Sequence, residues 1–255
     1  MKPVSRFARP ASLDAIMSGG WRALDTESVS GWVCRFSHGV TRRANSVLPL
    51  AGPVDVAGAI DDVESAYRSR GLPPVFQISP DSLPWDLDAI LAGRGYALDS
   101  PTLVQLLARG DFGQAAASEQ DPRVAFEDSA SAAWLKAFWE SEGPHSPAAQ
   151  AISERILGNT PAVYASLAID GHIHAVARMA LVGDLGGIYA VATREESRSR
   201  GHGRAVMRAL VAEAGRRDLA ALWLQVVEAN ATAAALYSSL GFETVSRYHY
   251  RALTS

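Results

Sequence analysis

The chain has 255 residues, enough for two domains, and its 48% hydrophobic and 20% charged residues are the balance of a globular protein in water. Its net charge of −3 lies in the residues up to Asp121 and the remainder is neutral, so neither part is the basic surface that attracts a nucleic acid or an anionic membrane. No apolar run is long enough to span a membrane, and no apolar stretch backs the basic "MKPVSRFARP", so no membrane partner and a cytoplasmic location are expected.

Hydrophobic period and turn residues predict a short helix over Ser12–Gly19, then strands in "GWVCRFS" and "NSVLPL". The single cysteine, Cys34, excludes an internal disulfide and a cysteine-rich zinc site, and its strand context points to a buried, inert thiol. A helix from about Val54 to Ser69 follows, then the strand "PVFQIS", the helix "DLDAILAGRGY" and the strand "TLVQLL". The stretch "RGDFGQAAASEQD" at 109–121 is small, polar and without hydrophobic period, and reads as a linker between a domain at 1–108 and another at 122–255.

Beyond it come the strand "RVAFED", the helix "SAAWLKAFWES", a second helix around "AAQAISERIL", and strands in "AVYASLAID", "HAVARMAL" and "GGIYAVAT". The helix "GRAVMRALVAEAGRR", the strand "ALWLQVV", the helix "NATAAALYSSLG" and the strand "TVSRYHYRAL" complete the order. Strands and helices alternate in both parts, so the class is α/β, with an α+β mixed sheet. A faint internal repeat lays "VFQIS…AILAGRGY…TLVQLL" over "WLQVV…ALYSSLGF…SRYHYRAL", each a strand, a helix stopped at a glycine and an aromatic, and a strand.

Two stretches carry the chemistry. In "RSRGHGRAVM", Gly201 and Gly203 stand among Arg198, Arg200 and Arg204, between an apolar strand and a helix whose Val206, Met207, Leu210, Val211 and Ala214 share one face. A helix N-terminus has unpaired N–H groups and the positive end of the dipole, and glycines let a phosphate approach them. By itself the turn is a weak signal and reads first as an ordinary strand-to-helix connection. It is neither a P-loop, which needs Lys-Ser or Lys-Thr after its last glycine, nor a dinucleotide fingerprint, since Val206 stands at the third small position. In "LQVVEANATAAALYSSLGF", Asn230 occupies a helix N-cap position and Tyr237 lies two turns later on roughly the same face, with Ala233 and Ala234 leaving room beside them.

Together, "RSRGHG" and "LQVVEANATAAALYSSLGF" resemble the Arg/Gln-x-x-Gly-x-Gly/Ala turn and the later strand–Asn–helix–Tyr motif of the GNAT superfamily of N-acetyltransferases, in the family's order and spacing. The resemblance covers about Arg123 to Leu253. The first half resembles the degenerate copy of two-domain members, with "GVTRRANSVLPL" its most recognisable string, so the expected architecture is two GNAT-like domains in tandem, the N-terminal one degenerate. That half lacks the glycine turn and has Leu91 where Tyr237 would fall, which makes it a scaffold or a substrate wall.

The resemblance implies acetyl-CoA as donor, an amine of a small molecule, amino acid or peptide as acceptor, direct attack of that amine, and no metal. It implies that the backbone of Val191, Ala192 and Thr193 pairs with the pantetheine arm. It places the pyrophosphate on the N–H groups of Ser199, Arg200, Gly201, His202, Gly203 and Arg204, with Arg198 at the rim. Asn230 is then expected to contact the cofactor arm, and Tyr237 to lie beside the sulfur as general acid.

A free alkylamine has a pKa of about 10, so a base is needed. Gln225 stands where some members carry a glutamate, and it cannot take a proton. Glu140, Glu142 and His145 in "FWESEGPH" rank above Glu228 for that role, because strand alternation turns Glu228 to the opposite face. His172 and His174 have a metal-like spacing but read as a solvent-facing hairpin strand. With no evident base, a non-catalytic acyl-CoA-binding sensor stays open as the alternative.

Overall fold

The computed structural model describes residues 12–115, 121–142 and 145–253. The first half contributes α1 (Leu13–Gly20), β1 (Asp25–Val29), β2 (Trp32–Phe36), β3 (Val47–Leu48), α2 (Val56–Arg68), β4 (Val75–Ile78), α3 (Leu87–Gly93) and β5 (Tyr96–Ala108). After α4 (Phe112–Ala115) come β6 (Val124–Glu127), α5 (Ala132–Glu142), α6 (Pro147–Gly158), β7 (Ala162–Ile169), β8 (His172–Val182) and β9 (Leu185–Thr193). The chain closes with α7 (His202–Arg216), β10 (Ala221–Val227), α8 (Ala231–Ser238) and β11 (Glu243–Leu253). Helix starts follow capping chemistry: the side chains of Ser12, Asp55, Ser146 and Asn230 each accept a hydrogen bond from a backbone N–H three residues on.

All eleven described strands form one mixed α/β sheet in the order β1-β2-β3-β4-β11-β5-β10-β9-β8-β7-β6. The two copies of the faint repeat, β4–α3–β5 and β10–α8–β11, are interleaved in it. The last strand of each copy is inserted into the other: β5 lies between β10 and β11, and β11 between β4 and β5. Thus the sheet runs unbroken through the boundary expected at 109–121. Phe112 and Ala115 of that segment are buried in the same core as α7, and residues 116–120 lie outside the described ones.

Three elements differ from the sequence reading. β1 has the pattern "DTESV", exposed at four of five positions, so no hydrophobic alternation announces it; Ser30 and Gly31, with φ of 49° and 87°, turn it into β2. The strand at "NSVLPL" is only two residues long. β5 begins at Tyr96 rather than near Thr102, because β11 pairs with its polar first part through Tyr250↔Asp99 and Leu253↔Tyr96.

Helices cover both faces. α7 packs Val206, Met207, Leu210, Val211 and Ala214 on one, against Ala177, Met179, Ile188 and Leu222. Each such burial contributes about 1.5–3 kcal/mol for the larger side chains. The opposite face is covered by α5 through Trp134 and Phe138 and by α1 through Met17, against Val176, Tyr189 and Trp223. α1 is anchored there by polar contacts as well: Tyr189 Oη donates to the Met17 carbonyl at 3.0 Å, and the fully buried Arg178 donates to the Gly20 carbonyl at 2.9 Å. Cys34 is buried in the core of the first half, and burial pushes its thiol up to about 12, so it stays protonated and inert.

Candidate active site

The site begins where two parallel strands part. β9 and β10 pair from Leu185↔Ala221 to Ile188↔Leu224 and no further. On its other side β9 stays paired with β8 as far as Thr193↔Ala175, across a bulge at Ala190, whose φ is 51°. Past Ile188, β9 has no strand on its β10 side among the described residues, and its backbone there is open to an extended ligand.

β9 runs on into the glycine turn. Ser199 and Gly201 have φ of 60° and 80°, and Gly201 is the N-cap of α7, which no side chain caps. A Cβ on Gly201 would meet nothing within 4 Å, whereas one on Gly203 would come within 3.1 Å of Thr193 Oγ1. The turn therefore lies directly against the end of β9, and its unpaired N–H groups remain available to an anion. Arg198 and Arg200 are exposed and Arg204 half-buried. Arg194 is paired with Glu140 and sits 3.8 Å from Glu196, so it is not part of the open cationic rim.

His202 faces inward. Its ring is buried, 5.7 Å from that of His174, whose Nδ1 lies 2.6 Å from Ser197 Oγ. Burial first, then the charge of Arg123, holds it below the usual histidine range and therefore neutral. The expected solvent-facing strand is correct for His172, while His174 is half-buried against the turn, because β8 carries it under α7. Among the described residues no group of three His, Cys, Asp or Glu is placed to hold a metal.

A cavity of about 670 Å³ opens at the parting of the strands. Ile188, Tyr189, Ala190 and Val191 line it from β9, and Leu224, Gln225, Val226 and Val227 from β10. Asn230, Ala233 and Tyr237 line it from the α8 side, so the spacing read from the sequence does put them on one face. Asn230 Oδ1 accepts from the Ala233 N–H at 3.0 Å. Tyr237 is buried, and burial pushes its phenol up to about 12 against the opposing pull of Arg43, so it holds its proton at any physiological pH. Ala192, Thr193 and the turn residues Arg198 to Arg204 lie outside this lining, along the exit over the end of β9.

The candidate bases separate cleanly. Glu140 is tied to Arg194 and lies 3.9 Å from Lys136, away from the cavity. Glu228 sits past the end of β10, where its N–H donates to the Pro101 carbonyl and it borders a second cavity of about 350 Å³. Glu142 and His145 line the main cavity, both at exposed positions. Gln225 lines it too, with its Nε2 on Met17 Sδ at 2.8 Å and its Oε1 enclosed without a partner among the described residues.

Which residues of the first half line the cavity was not legible beforehand. Trp21, Gly39, Val40, Thr41 and Arg43 reach the cavity from the first half, and Phe138 and Trp139 from α5. Arg43 lies inside "GVTRRANSVLPL", but no local pattern shows that this loop docks on β9.

Comparison with known proteins places this geometry. The family described as "Probable histone acetyltransferase Rv0428c C-terminal" matches residues 11–251. An uncharacterized N-acetyltransferase, YobR of Bacillus subtilis, is 28% identical over 244 residues, covering 94% of this chain and 96% of its own. The [Ribosomal protein bS18]-alanine N-acetyltransferase of Escherichia coli is 37% identical over 83 residues, 32% of this chain and 56% of that one. In structure, a GCN5-related N-acetyltransferase from Kribbella flavida superposes with a TM-score of 0.68 at 16% identity, covering 93% of this chain and 92% of its own.

Proposed function

Since this chain belongs to the family described as "Probable histone acetyltransferase Rv0428c C-terminal" and is an N-acetyltransferase, we propose that acetyl-CoA lies along β9 and that an amine enters the cavity to receive the acetyl group. Two features fit that donor. The β9 backbone past Ile188 is an open edge, and the turn at Gly201 leaves space that a side chain would fill. Acetyl-CoA supplies the activated thioester, and the chain supplies position and proton transfer.

In this reading the backbone of Val191, Ala192 and Thr193 pairs with the amides of the pantetheine arm, as an added strand would. The N–H groups from Ser199 to Arg204, with the exposed Arg198 and Arg200, hold the pyrophosphate at the uncapped start of α7. Asn230 spends its oxygen on the helix cap, so its Nδ2 is the group left to donate to the arm. Tyr237 Oη carries the proton required by the departing sulfur, and its raised pKa keeps that proton in place until the step. Glu142 and His145 are the lining groups that can take a proton from the incoming amine.

We read residues 1–108 as a copy related to the catalytic residues 122–255 that has lost the donor site. It has Leu91 in place of Tyr237 and no glycine turn, and it serves the reaction as a wall. Cytoplasmic location belongs to the same proposal; among the described residues no helix is long and apolar enough to cross a membrane.

The observation that carries the reading is the parting of β9 and β10 beside Tyr237. Purified protein incubated with acetyl-CoA and a panel of amines should release free thiol with at least one amine. CoA binding without thiol release from any amine would instead make the chain an acyl-CoA sensor.

A further inference from the structure

The acceptor end of the cavity holds three polar groups with unmet hydrogen-bonding capacity. Arg43 is its only lysine or arginine among the described residues. The guanidinium lies 5.7 Å from the ring centre of Trp21 and 5.4 Å from that of Tyr189. Around it are the phenols of Tyr248, Tyr250 and Tyr189, with Tyr248 in hydrogen-bonding reach, and among the described residues no carboxylate pairs with it. Its Nε is enclosed and has no hydrogen-bond partner among the described residues. Trp139 Nε1 and Gln225 Oε1 are enclosed in the same lining and unpartnered among the described residues.

A permanent cation in a partly dry cleft is costly unless something pairs with it. Contact with two aromatic rings and with Tyr248 offsets part of that cost, but it leaves the enclosed Nε–H of the fork unused among the described residues. The donor phosphates do not supply the missing anion, because their cradle lies beyond Thr193, outside the cavity lining. What remains is the acceptor. A planar carboxylate matches the fork and the indole N–H of Trp139, while an amine N–H matches Gln225 Oε1.

Resting on the acetyltransferase reading, we propose that Arg43 of the first half recognises a carboxylate on the acceptor, so that the substrate class is an amine bearing a carboxylate, such as a free amino acid or a peptide with an acid near its reactive amine. The first half is then the specificity wall of the enzyme.

The test compares matched pairs, free L-amino acids against their carboxamides, by thiol release from acetyl-CoA. The α-amine of a carboxamide is the less basic, so at fixed pH more of it is neutral, and a preference for the acid runs against that advantage. Wild-type protein should show kcat/KM at least about 10-fold higher for the acid, the scale of a hydrogen bond to a charged group. Arg43→Gln should erase the preference by lowering kcat/KM for the acid about 10–100-fold more than for the carboxamide, with CoA affinity within twofold of wild type. Arg43→Lys, which keeps the charge without the fork, should fall between, and thermal melts confirm that each variant is folded.

A second readout needs no turnover. Tryptophan fluorescence of the CoA-saturated protein, titrated with N-acetyl amino acids and their amides, should show tighter binding of the acids, dependent on Arg43. Equal use and equal binding of acids and amides by wild-type protein would overturn the carboxylate assignment and leave the acetyltransferase reading intact. So would an unchanged preference in folded Arg43→Gln, or a loss confined to CoA affinity. No thiol release with any amine would sink the acetyltransferase reading itself, and the binding titration would still decide for or against Arg43.

Discussion

Leu224 on β10 pairs with Ile188 on β9, and they are the last residues at which these two parallel strands are partners. One residue further, Gln225 and Tyr189 already line a cavity. A ladder that stops inside a sheet leaves backbone donors and acceptors without partners, and such groups are normally paired. Binding of CoA should therefore slow amide hydrogen exchange at Val191, Ala192 and Thr193. The equivalent strands of the first half, β3 and β4, should be unaffected, and titration calorimetry should give one CoA per chain. Two sites, or protection at Val47 and Val75 instead, would contradict the assignment.

The two turn glycines should respond differently to substitution. Gly201 has φ of 80° and open space around an added Cβ, so Gly201→Ala suffers backbone strain of about 1–2 kcal/mol without a clash. Gly203→Val instead drives a branched side chain into Thr193 Oγ1, already 3.1 Å from the first carbon, and shifts the turn away from β9. CoA affinity is expected to fall about 10-fold in the first and further in the second. Unchanged affinity in folded variants would reduce the turn to a connection.

Tyr237→Phe removes one oxygen from a buried ring that packs near Phe242, 6.2 Å between centres. Single-turnover transfer should drop roughly 10²-fold, with CoA affinity little altered. The pH dependence has a definite sign. The phenol donates only while protonated, which it is below a pKa of about 12, so the rate should not fall on the alkaline side through pH 10 on its account. An alkaline limb near pH 8 that disappears in Tyr237→Phe would show that burial does not govern this group.

Proton removal from the amine should be lost as pH falls, because a base works only when deprotonated. Glu142→Gln with His145→Gln together should lower kcat/KM about 10²-fold at every pH at which the amine is neutral. Glu140→Gln should leave kcat/KM unchanged, as Glu140 is occupied by Arg194 outside the cavity. A profile that is identical in the double variant would place the base elsewhere.

Because β5 and β11 are exchanged between the halves, neither half can close its own sheet. Residues 122–255 alone would expose the β10 and β11 edges that β5 covers. We expect that fragment to aggregate or to lack a cooperative melt, and the two halves, co-expressed as separate chains, to restore folding and thiol release. A monomeric 122–255 fragment acetylating the same amines at full rate would refute this.

The sequence by itself determined what local physics controls. The 3.6-residue period of Val206, Met207, Leu210, Val211 and Ala214 settled α7 and its buried face. The spacing of Asn230, Ala233 and Tyr237 put all three on one wall of the cavity, and the polar N-cap fixed where α8 begins. Those signals lie within one helix or one turn, where neighbours in sequence are neighbours in space.

Tertiary structure alone decided the rest. β1 is exposed and polar, and it is a strand only because β2 pairs with it; the first part of β5, interrupted by Pro101, is a strand only because β11 does. The choice between Glu140 and Glu142 turned on an ion pair with Arg194, 54 positions away in the chain. Trp21 reaches the cavity because α1 docks on Tyr189 and Arg178, and Arg43 because the loop between β2 and β3 lies over Tyr189, both more than a hundred residues on. Hydrogen-bond ladders and burial are satisfied by whichever segment arrives, and that partner is written nowhere in the local sequence.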